Sequence, residues 1–333
     1  MHRRSLVVAA VAAVLATAGC GGAKQPAGAA AAPGKITIGF SAWPGWFPWQ
    51  VAQEKGLFAK NGVDVGLKYF DSYTDSLNAL STGNLTANSQ TLNDTLSSVS
   101  GGARQTIVLV NDNSTGNDQI IARDGITSIA DLKGRKVAAE QGTVDHYLLL
   151  LALKKAGLSA RDIQFTPLAT DAAAAAFVAG KVDAVGVFAP FTTTALGLKG
   201  SRAITTSKDF PGAIPDHLVF GSDFVKSHGD RVQAIVKTWF DTLAWIKANP
   251  TEAVAIMARR GGVSAADYAS YDAGTTIFTR EQNLAAFTSG SSPANLDYQA
   301  GQIADFLVES GLVDKKPSLD GLFEPKFVRA VAG

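Results

Sequence analysis

Apolar and polar positions alternate along the chain in a pattern that predicts short strands separated by helices. Residues 35–40 (KITIGF) and 106–111 (TIVLVN) are rich in β-branched residues, which favours buried strands. In residues 92–100 and 144–156 the apolar residues recur at the intervals typical of a helix. A regular alternation of strand and helix is typical of an α/β fold.

Two stretches with this pattern lie 97 residues apart and indicate a duplication. Gly83 and Gly180 each end a predicted helix and precede a predicted strand, as C-terminal glycines of helices do. The body therefore reads as two similar lobes. Residues 230–248 form a long amphipathic pattern with Trp239 on its apolar stripe. We expect this stripe to be core, in a helical C-terminal part that packs on the first lobe.

Composition excludes several classes of protein. Lys and Arg total 30 and Asp and Glu total 29, so the net charge of +1 lacks the basic excess typical of nucleic-acid binding. Hydrophobic residues make up 46% and charged residues 18%, which is too apolar for a disordered chain. One cysteine and four scattered histidines predict neither an intramolecular disulfide nor a metal site, and no motif predicts a cofactor.

The first residues read as an export signal. Arg3 and Arg4 precede an apolar run of about 14 residues, which is too short to span a bilayer. The sequence Thr17-Ala18-Gly19-Cys20 resembles a bacterial lipoprotein signal, which implies cleavage of residues 1–19 and lipid attachment to Cys20. Residues 20–34 are rich in Gly, Ala and Pro, as a flexible tether would be. We expect an exported protein, lipid-anchored at the outer face of the cell membrane or present in the periplasm.

The body resembles the solute-binding proteins of ABC importers, in the family of sulfonate, nitrate, taurine and thiamine-precursor binders. The likeness rests on residues 52–58 (AQEKGLF), 129–137 (IADLKGRKV) and 177–184 (FVAGKVDA). A further set of segments resembles the urea carboxylase-associated subgroup of these binding proteins, which implies guanidinium as the ligand. These segments are residues 41–49 (SAWPGWFPW), 89–94 (SQTLND), 110–118 (VNDNSTGND), 140–146 (EQGTVDH) and 209–217 (DFPGAIPDH).

This resemblance implies a type II periplasmic-binding-protein fold, an α/β fold of two doubly wound sheets with a cleft between lobes and a helical C-terminal tail. Residues 35–122 and 218–333 would form lobe 1, and residues 123–217 lobe 2. Such a protein closes over its ligand and delivers it to the permease subunits of an ABC transporter. We expect a monomer that is not an enzyme.

The predicted loops at the carboxyl ends of the strands, where α/β proteins bind ligands, are acidic. Seven such loops contain eight acids and no Lys or Arg: Asp71, Asp75, Asp94, Asp112, Asp118, Glu140, Asp145 and Asp216. Some of these acids fit the first turns of helices. Together they favour a cation, and Trp43 and Trp46 offer faces on which a planar cation can stack.

The residues that we expect to contact the ligand come from both lobes: Trp43, Trp46, Asp71, Gln90, Asp94, Glu140, Thr143, Asp145 and Phe188. Two alternatives remain open. The ligand could be an anionic or zwitterionic sulfonate, nitrate or taurine-type solute, with the acids serving only as helix caps. The protein could bind or synthesise a thiamine precursor, although its body lacks the cysteine motif of the synthetic enzymes. His146 beside Asp145 brings no nucleophile or metal-ligand spacing that would indicate catalysis.

Overall fold

The computed structural model describes residues 34–331. The predicted signal peptide, Cys20 and nearly all of the predicted tether lie outside the described residues. The strands are β1 (Ile36–Phe40), β2 (Val65–Tyr69), β3 (Ala87–Thr91), β4 (Gln105–Ser114), β5 (Asp118–Ala122), β6 (Lys136–Ala139), β7 (Gln164–Pro167), β8 (Ala184–Phe188), β9 (Arg202–Thr206), β10 (Pro215–Gly221) and β11 (Thr275–Ile277).

Helices connect the strands and dominate the C-terminal part. They are α1 (Pro48–Glu54), α2 (Leu57–Lys60), α3 (Tyr73–Ser81), α4 (Leu92–Ser100), α5 (Val144–Lys155), α6 (Thr170–Val178), α7 (Phe191–Leu196), α8 (Ser222–Ser227), α9 (Gly229–Ala248), α10 (Pro250–Gly261), α11 (Ala265–Ser270), α12 (Arg280–Ala286), α13 (Leu296–Glu309) and α14 (Lys326–Arg329). No described helix is both long enough and apolar enough to cross a membrane.

The strands form two sheets, which we call the first and the second lobe together with their helices. The first sheet has the order β11-β4-β10-β3-β1-β2 and the second the order β7-β6-β8-β5-β9. In each sheet, three parallel strands (β2-β1-β3 and β7-β6-β8) are followed by an antiparallel strand, β10 or β5. This shared order confirms the duplication, and Gly83 and Gly180 have nearly equal positive φ values of 76° and 78°.

The chain passes between the lobes twice, at residues 115–117 and 207–214. These crossings lie a few residues before the boundaries expected after residues 122 and 217. Strand β5 therefore pairs in the second sheet, and the start of β10 pairs in the first. Parts of two stretches expected to be loops are strand, because β4 continues to Ser114 and β10 begins at Pro215.

Local chemistry explains where the helices near the cleft begin. The Ser72 and Thr91 side chains accept the backbone N–H groups of Asp75 and Asp94, which caps α3 and α4. Helices α1 and α2 are separate, because Gly56 adopts a φ of 64° between them.

The C-terminal helices complete the first lobe. Trp239 on α9 is fully buried and packs on Trp49 of α1, with ring centroids 4.6 Å apart. The stripe on α9 that the sequence assigned to the core is buried at Val232, Ile235, Val236 and Trp239, and only partly buried further along. This packing fixes α1 and the loop before it, which carries Trp43 and Trp46.

Candidate functional site

A small pocket lies where residues of the two lobes meet. The space inside it, part of which is open to solvent, is about 220 Å³. The first lobe contributes Trp43, Trp46, Tyr73, Thr91, Ile214 and Asp216 to its lining, and the second contributes Asp118, Val144 and Phe188. A pocket built from both lobes and of this size suits a ligand of only a few heavy atoms.

Four aromatic rings form the walls of the pocket. The Trp43 and Phe188 rings meet edge to face, with centroids 6.3 Å apart, and the Tyr73 and Phe188 rings do the same at 6.2 Å. Trp46 packs on both Trp43 and Tyr73. Aromatic rings that line a small cavity can bind a small organic cation where a ring face meets the charge.

Two carboxyl groups from different lobes line the pocket and lack full hydrogen bonding. Within the described part of the chain, Asp118 Oδ2 and Asp216 Oδ2 are buried and have no hydrogen-bond partner. Burial raises the pKa of Asp118 to about 7. Burial, followed by repulsion from Asp112 and Asp118, raises the pKa of Asp216 well above its usual range. Among the described residues that line the pocket, none is Lys or Arg.

Asp112 stands directly behind this lining. It lies opposite Asp216 in the register of β4 and β10, and its Oδ1 accepts a hydrogen bond of 2.9 Å from Trp43 Nε1. A Cβ added at Gly45 would lie 2.0 Å from Asp112 Oδ2, so only glycine fits at this point. Burial raises the pKa of Asp112 to about 8.

Glu140 bridges the lobes and is fully hydrogen-bonded. Its Oε1 accepts from the N–H and hydroxyl of Thr74 at 3.1 and 2.5 Å, in the first turn of α3. Its Oε2 accepts from the N–H and hydroxyl of Thr170 at 3.2 and 2.8 Å, at the start of α6. One carboxylate therefore caps two helices, one from each lobe.

The structure brings only some of the predicted contact residues to the pocket. Trp43, Trp46 and Phe188 line it. Glu140 caps helices, and Thr143 donates to the Glu140 backbone carbonyl at 2.9 Å. Asp145 Oδ2 shares the single Thr170 hydroxyl proton with Glu140 Oε2, while its buried Oδ1 has no partner among the described residues.

The remaining predicted residues lie away from the lining. Asp71 is exposed. Gln90 is buried inside the first lobe, where it bonds Asn88, Thr95 and Gln105. Asp94 is buried with one oxygen accepting from Thr91 and the other from Asn93. As the structure stands, these three side chains therefore do not reach the pocket.

The sequence counted Asp118 and Asp216 among the acidic loop residues but did not select them. Both were assigned to loops, whereas they lie on β5 and β10, next to the two crossings between lobes. No local signal in the sequence separates these two acids from the acids that cap helices. His146, the residue that most invited a catalytic reading, stacks on Phe165, and burial lowers its pKa to about 4.

Comparison with known proteins places this architecture in a family. A taurine-binding periplasmic protein of Escherichia coli is 28% identical over 80% of this chain and 84% of its own length. A Brucella abortus protein whose name assigns it binding but no ligand is 30% identical, and the match spans 63% of this chain and 66% of that protein. The crystal structure of the periplasmic aliphatic sulphonate binding protein of Escherichia coli superposes with a TM-score of 0.72 at 26% identity, covering 87% of this chain and 97% of that one.

These names do not confirm the guanidinium subgroup, and they fit the sulfonate or taurine alternative better. The fold that the sequence implied, two α/β lobes with a helical C-terminal part, is confirmed by the superposition. The sequence model described as NMT1/THI5 like matches residues 43–253, which include every residue that lines the pocket. This chain therefore belongs to the NMT1/THI5-like family.

Proposed function

We propose that this protein is an extracytoplasmic solute-binding protein that delivers a small ligand to an ABC importer by closing its two lobes. The proposal draws on membership of the family, on relatives named as periplasmic binding proteins, and on a pocket whose lining comes from both lobes. A site shared between lobes couples occupancy to closure, because the ligand gains all its contacts only when the lobes meet.

The ligand that suits the pocket chemistry is a small planar cation such as guanidinium. One observation carries this proposal: the unpartnered oxygens of Asp118 and Asp216 lie in a pocket with aromatic walls and no lysine or arginine among its described lining. Guanidinium has rigid N–H donors that match carboxylate oxygens. Its four heavy atoms set a ceiling of about 6 kcal/mol of binding free energy, which corresponds to a Kd of tens of micromolar.

A sulfonate or taurine-type ligand is the second candidate, and the relatives' names favour it. One structural observation also suits it, because the buried Trp46 Nε1 has no hydrogen-bond partner among the described residues and could donate to a sulfonate oxygen. An anion would require Asp118 and Asp216 to be protonated, so that they donate rather than repel. A zwitterion could place its ammonium group between the two acids.

Export and anchoring complete the proposal. The basic and apolar start of the chain and Cys20 support cleavage of residues 1–19 and lipid attachment, with residues 20–34 as a tether. The partners would be the permease subunits of the importer, approached by a monomer. Metabolic labelling with a fatty acid would test anchoring, since Cys20→Ala should abolish the label if the signal is used.

Calorimetric titration of the purified chain with guanidinium, urea, taurine, an alkanesulfonate and nitrate tests the ligand at one pH. We expect guanidinium to bind with a Kd in the micromolar range and urea, its neutral analogue, to bind far more weakly. Binding of taurine or the sulfonate without a response to guanidinium would reject the cation and support the second candidate. Failure of all five would contradict the choice of ligand class.

A further inference from the structure

The acids Asp112 and Asp216 form a pair that the proposed binding role leaves unexplained. They lie opposite each other on the neighbouring antiparallel strands β4 and β10. Their exposed fractions are 0% and 1%. Only Asp216 lines the pocket, whereas Asp112 lies behind it and is held by Trp43 Nε1 and the close approach of Gly45. A ligand therefore meets one member of the pair, and the other acts through it.

Residues directly opposite each other on antiparallel strands place their side chains on the same face of the sheet, with Cβ atoms about 4.5–5.5 Å apart, so the two buried carboxyl groups are neighbours. An ionised carboxylate can only accept a hydrogen bond, so a hydrogen bond between these two groups needs a proton on one of them. Two carboxylates in contact inside a dry site cannot both remain ionised at neutral pH. The oxygens Asp112 Oδ2 and Asp216 Oδ2 have no hydrogen-bond partner within the described part of the chain, so a shared proton would satisfy both.

The groups around the pair do not supply a compensating cation. Asp118 on β5 and Asp94 on α4 add negative charge near Asp216. Tyr73 on α3 and Tyr268 on α11 interact electrostatically with Asp216 and Asp112 respectively, and burial raises the pKa of each phenol, so both remain neutral. His217, the next residue on β10, is buried, and the loss of solvation lowers its pKa to about 3. Trp43, from the loop before α1, is the neutral donor.

We propose that Asp112 and Asp216 share one proton in the ligand-free protein and that a cation entering the pocket displaces this proton. The proposal rests on the cationic ligand proposed above. In the exchange, the cation pairs with the Asp216 carboxylate, the hydrogen bond to Asp112 breaks, and the proton passes to solvent. The pair therefore keeps the same net charge of about −1 with the proton or with the cation, and ligand uptake becomes linked to pH.

Calorimetric titration with guanidinium in two buffers of different ionisation enthalpy counts the protons released. At pH 7 we expect the wild-type chain to release about one more proton per guanidinium than Asp112→Asn does. The asparagine amide can donate to Asp216 and keep it ionised, so no shared proton remains to be displaced. Asp75→Asn removes an exposed acid by the same chemical change and should match the wild type.

A second variant covers the case in which Asp112→Asn does not fold. Trp43→Phe keeps an aromatic ring but removes the donor that favours ionised Asp112, so proton release should move to higher pH. Guanidinium binding with equal proton counts in the wild type and Asp112→Asn would overturn the inference and leave the proposed function standing.

If guanidinium does not bind at any pH, the proposed cation fails, and the ligand-free protein still tests the shared proton. We then expect the infrared C=O stretch of protonated carboxyl groups at pH 7 to be weaker in Asp112→Asn than in the wild type and in Asp75→Asn. Equal signals in the three proteins would overturn the shared proton as well.

Discussion

Glu140 and Asp216 are both buried acids at the meeting of the two lobes, yet their surroundings differ completely. Glu140 receives four hydrogen bonds from Thr74 and Thr170. Asp216 has a buried oxygen that no described donor reaches, other than the proton that we propose it shares with Asp112. The cost of burying a carboxylate is offset by hydrogen-bond donors at Glu140, whereas Asp216 lacks such donors. The comparison separates an acid that joins the lobes from an acid that we propose binds the solute.

The largest effect that this comparison predicts is on ligand affinity in Asp216→Asn. A charged hydrogen bond contributes about 1.5–3 kcal/mol, so guanidinium affinity should fall by about 10- to 150-fold. Stability should not fall, because the substitution removes a poorly compensated buried acid. Calorimetry and thermal unfolding check both parts, and wild-type affinity in the variant would remove Asp216 from the site.

Glu140→Gln should lower guanidinium affinity less than Asp216→Asn does, and unlike that substitution it should also lower stability. Its amide NH₂ would face donors at Thr74 or Thr170, which should lower the free energy of unfolding by about 1–3 kcal/mol. Affinity should weaken because closure is impaired, but the ranking of guanidinium over taurine should not change. A change of ligand preference in this variant would contradict its role as a helix cap.

The pH dependence of stability sharpens the comparison further. Burial raises the pKa of Asp118 to about 7 and that of Asp112 to about 8. The folded, ligand-free protein therefore holds more protons than the unfolded chain between about pH 4 and pH 8, and stability falls as pH rises through this window. We expect a lower Tm at pH 8 than at pH 5. In Asp118→Asn the decrease should be smaller, and an equal decrease would remove Asp118 from the explanation.

Trp46→Phe should have the smallest effect if the ligand is a cation. The substitution keeps an aromatic face but removes the unpartnered Nε1–H. A cation does not use that donor. The binding free energy of guanidinium should therefore change by no more than about 1 kcal/mol, which is the difference between strong and weak cation–π contacts. A sulfonate oxygen would use it, and its affinity would fall about tenfold or more. Titration of both ligands into this variant therefore distinguishes the two candidates.

Much of the fold was predictable from local pattern. Residues 92–100 were predicted as a helix and form α4 with the same bounds. The duplication was visible at Gly83 and Gly180 because a helix end before a strand leaves a local glycine signature. The crossings between lobes were not predictable, because the polar run from Asn111 to Ser114 reads as a loop although its residues are buried in β4. Only tertiary pairing with β10 and β11 makes it a strand.

The acidic and aromatic character of the candidate pocket was predictable from the sequence, but only some of the residues that line it were. Trp43, Trp46 and Phe188 were selected and line the pocket, and the acidic character of the cleft was visible from the sequence. The sequence could not rank the acids, because an acid's role depends on donors that are remote along the chain. Thr74 and Thr170 lie 66 and 30 residues from Glu140. No local pattern reports that such donors reach Glu140 and not Asp216.

The sign of the pH dependence of guanidinium binding tests the central claim most directly. Guanidinium keeps its charge near neutral pH, as the arginine side chain does. Only the acids of the pocket therefore titrate between pH 6 and pH 8. We predict that calorimetric affinity for guanidinium rises across this interval, because Asp118 and the Asp112–Asp216 pair lose protons to solvent as the pH rises. Absence of guanidinium binding at pH 8, together with taurine or sulfonate affinity that falls as pH rises, would contradict it.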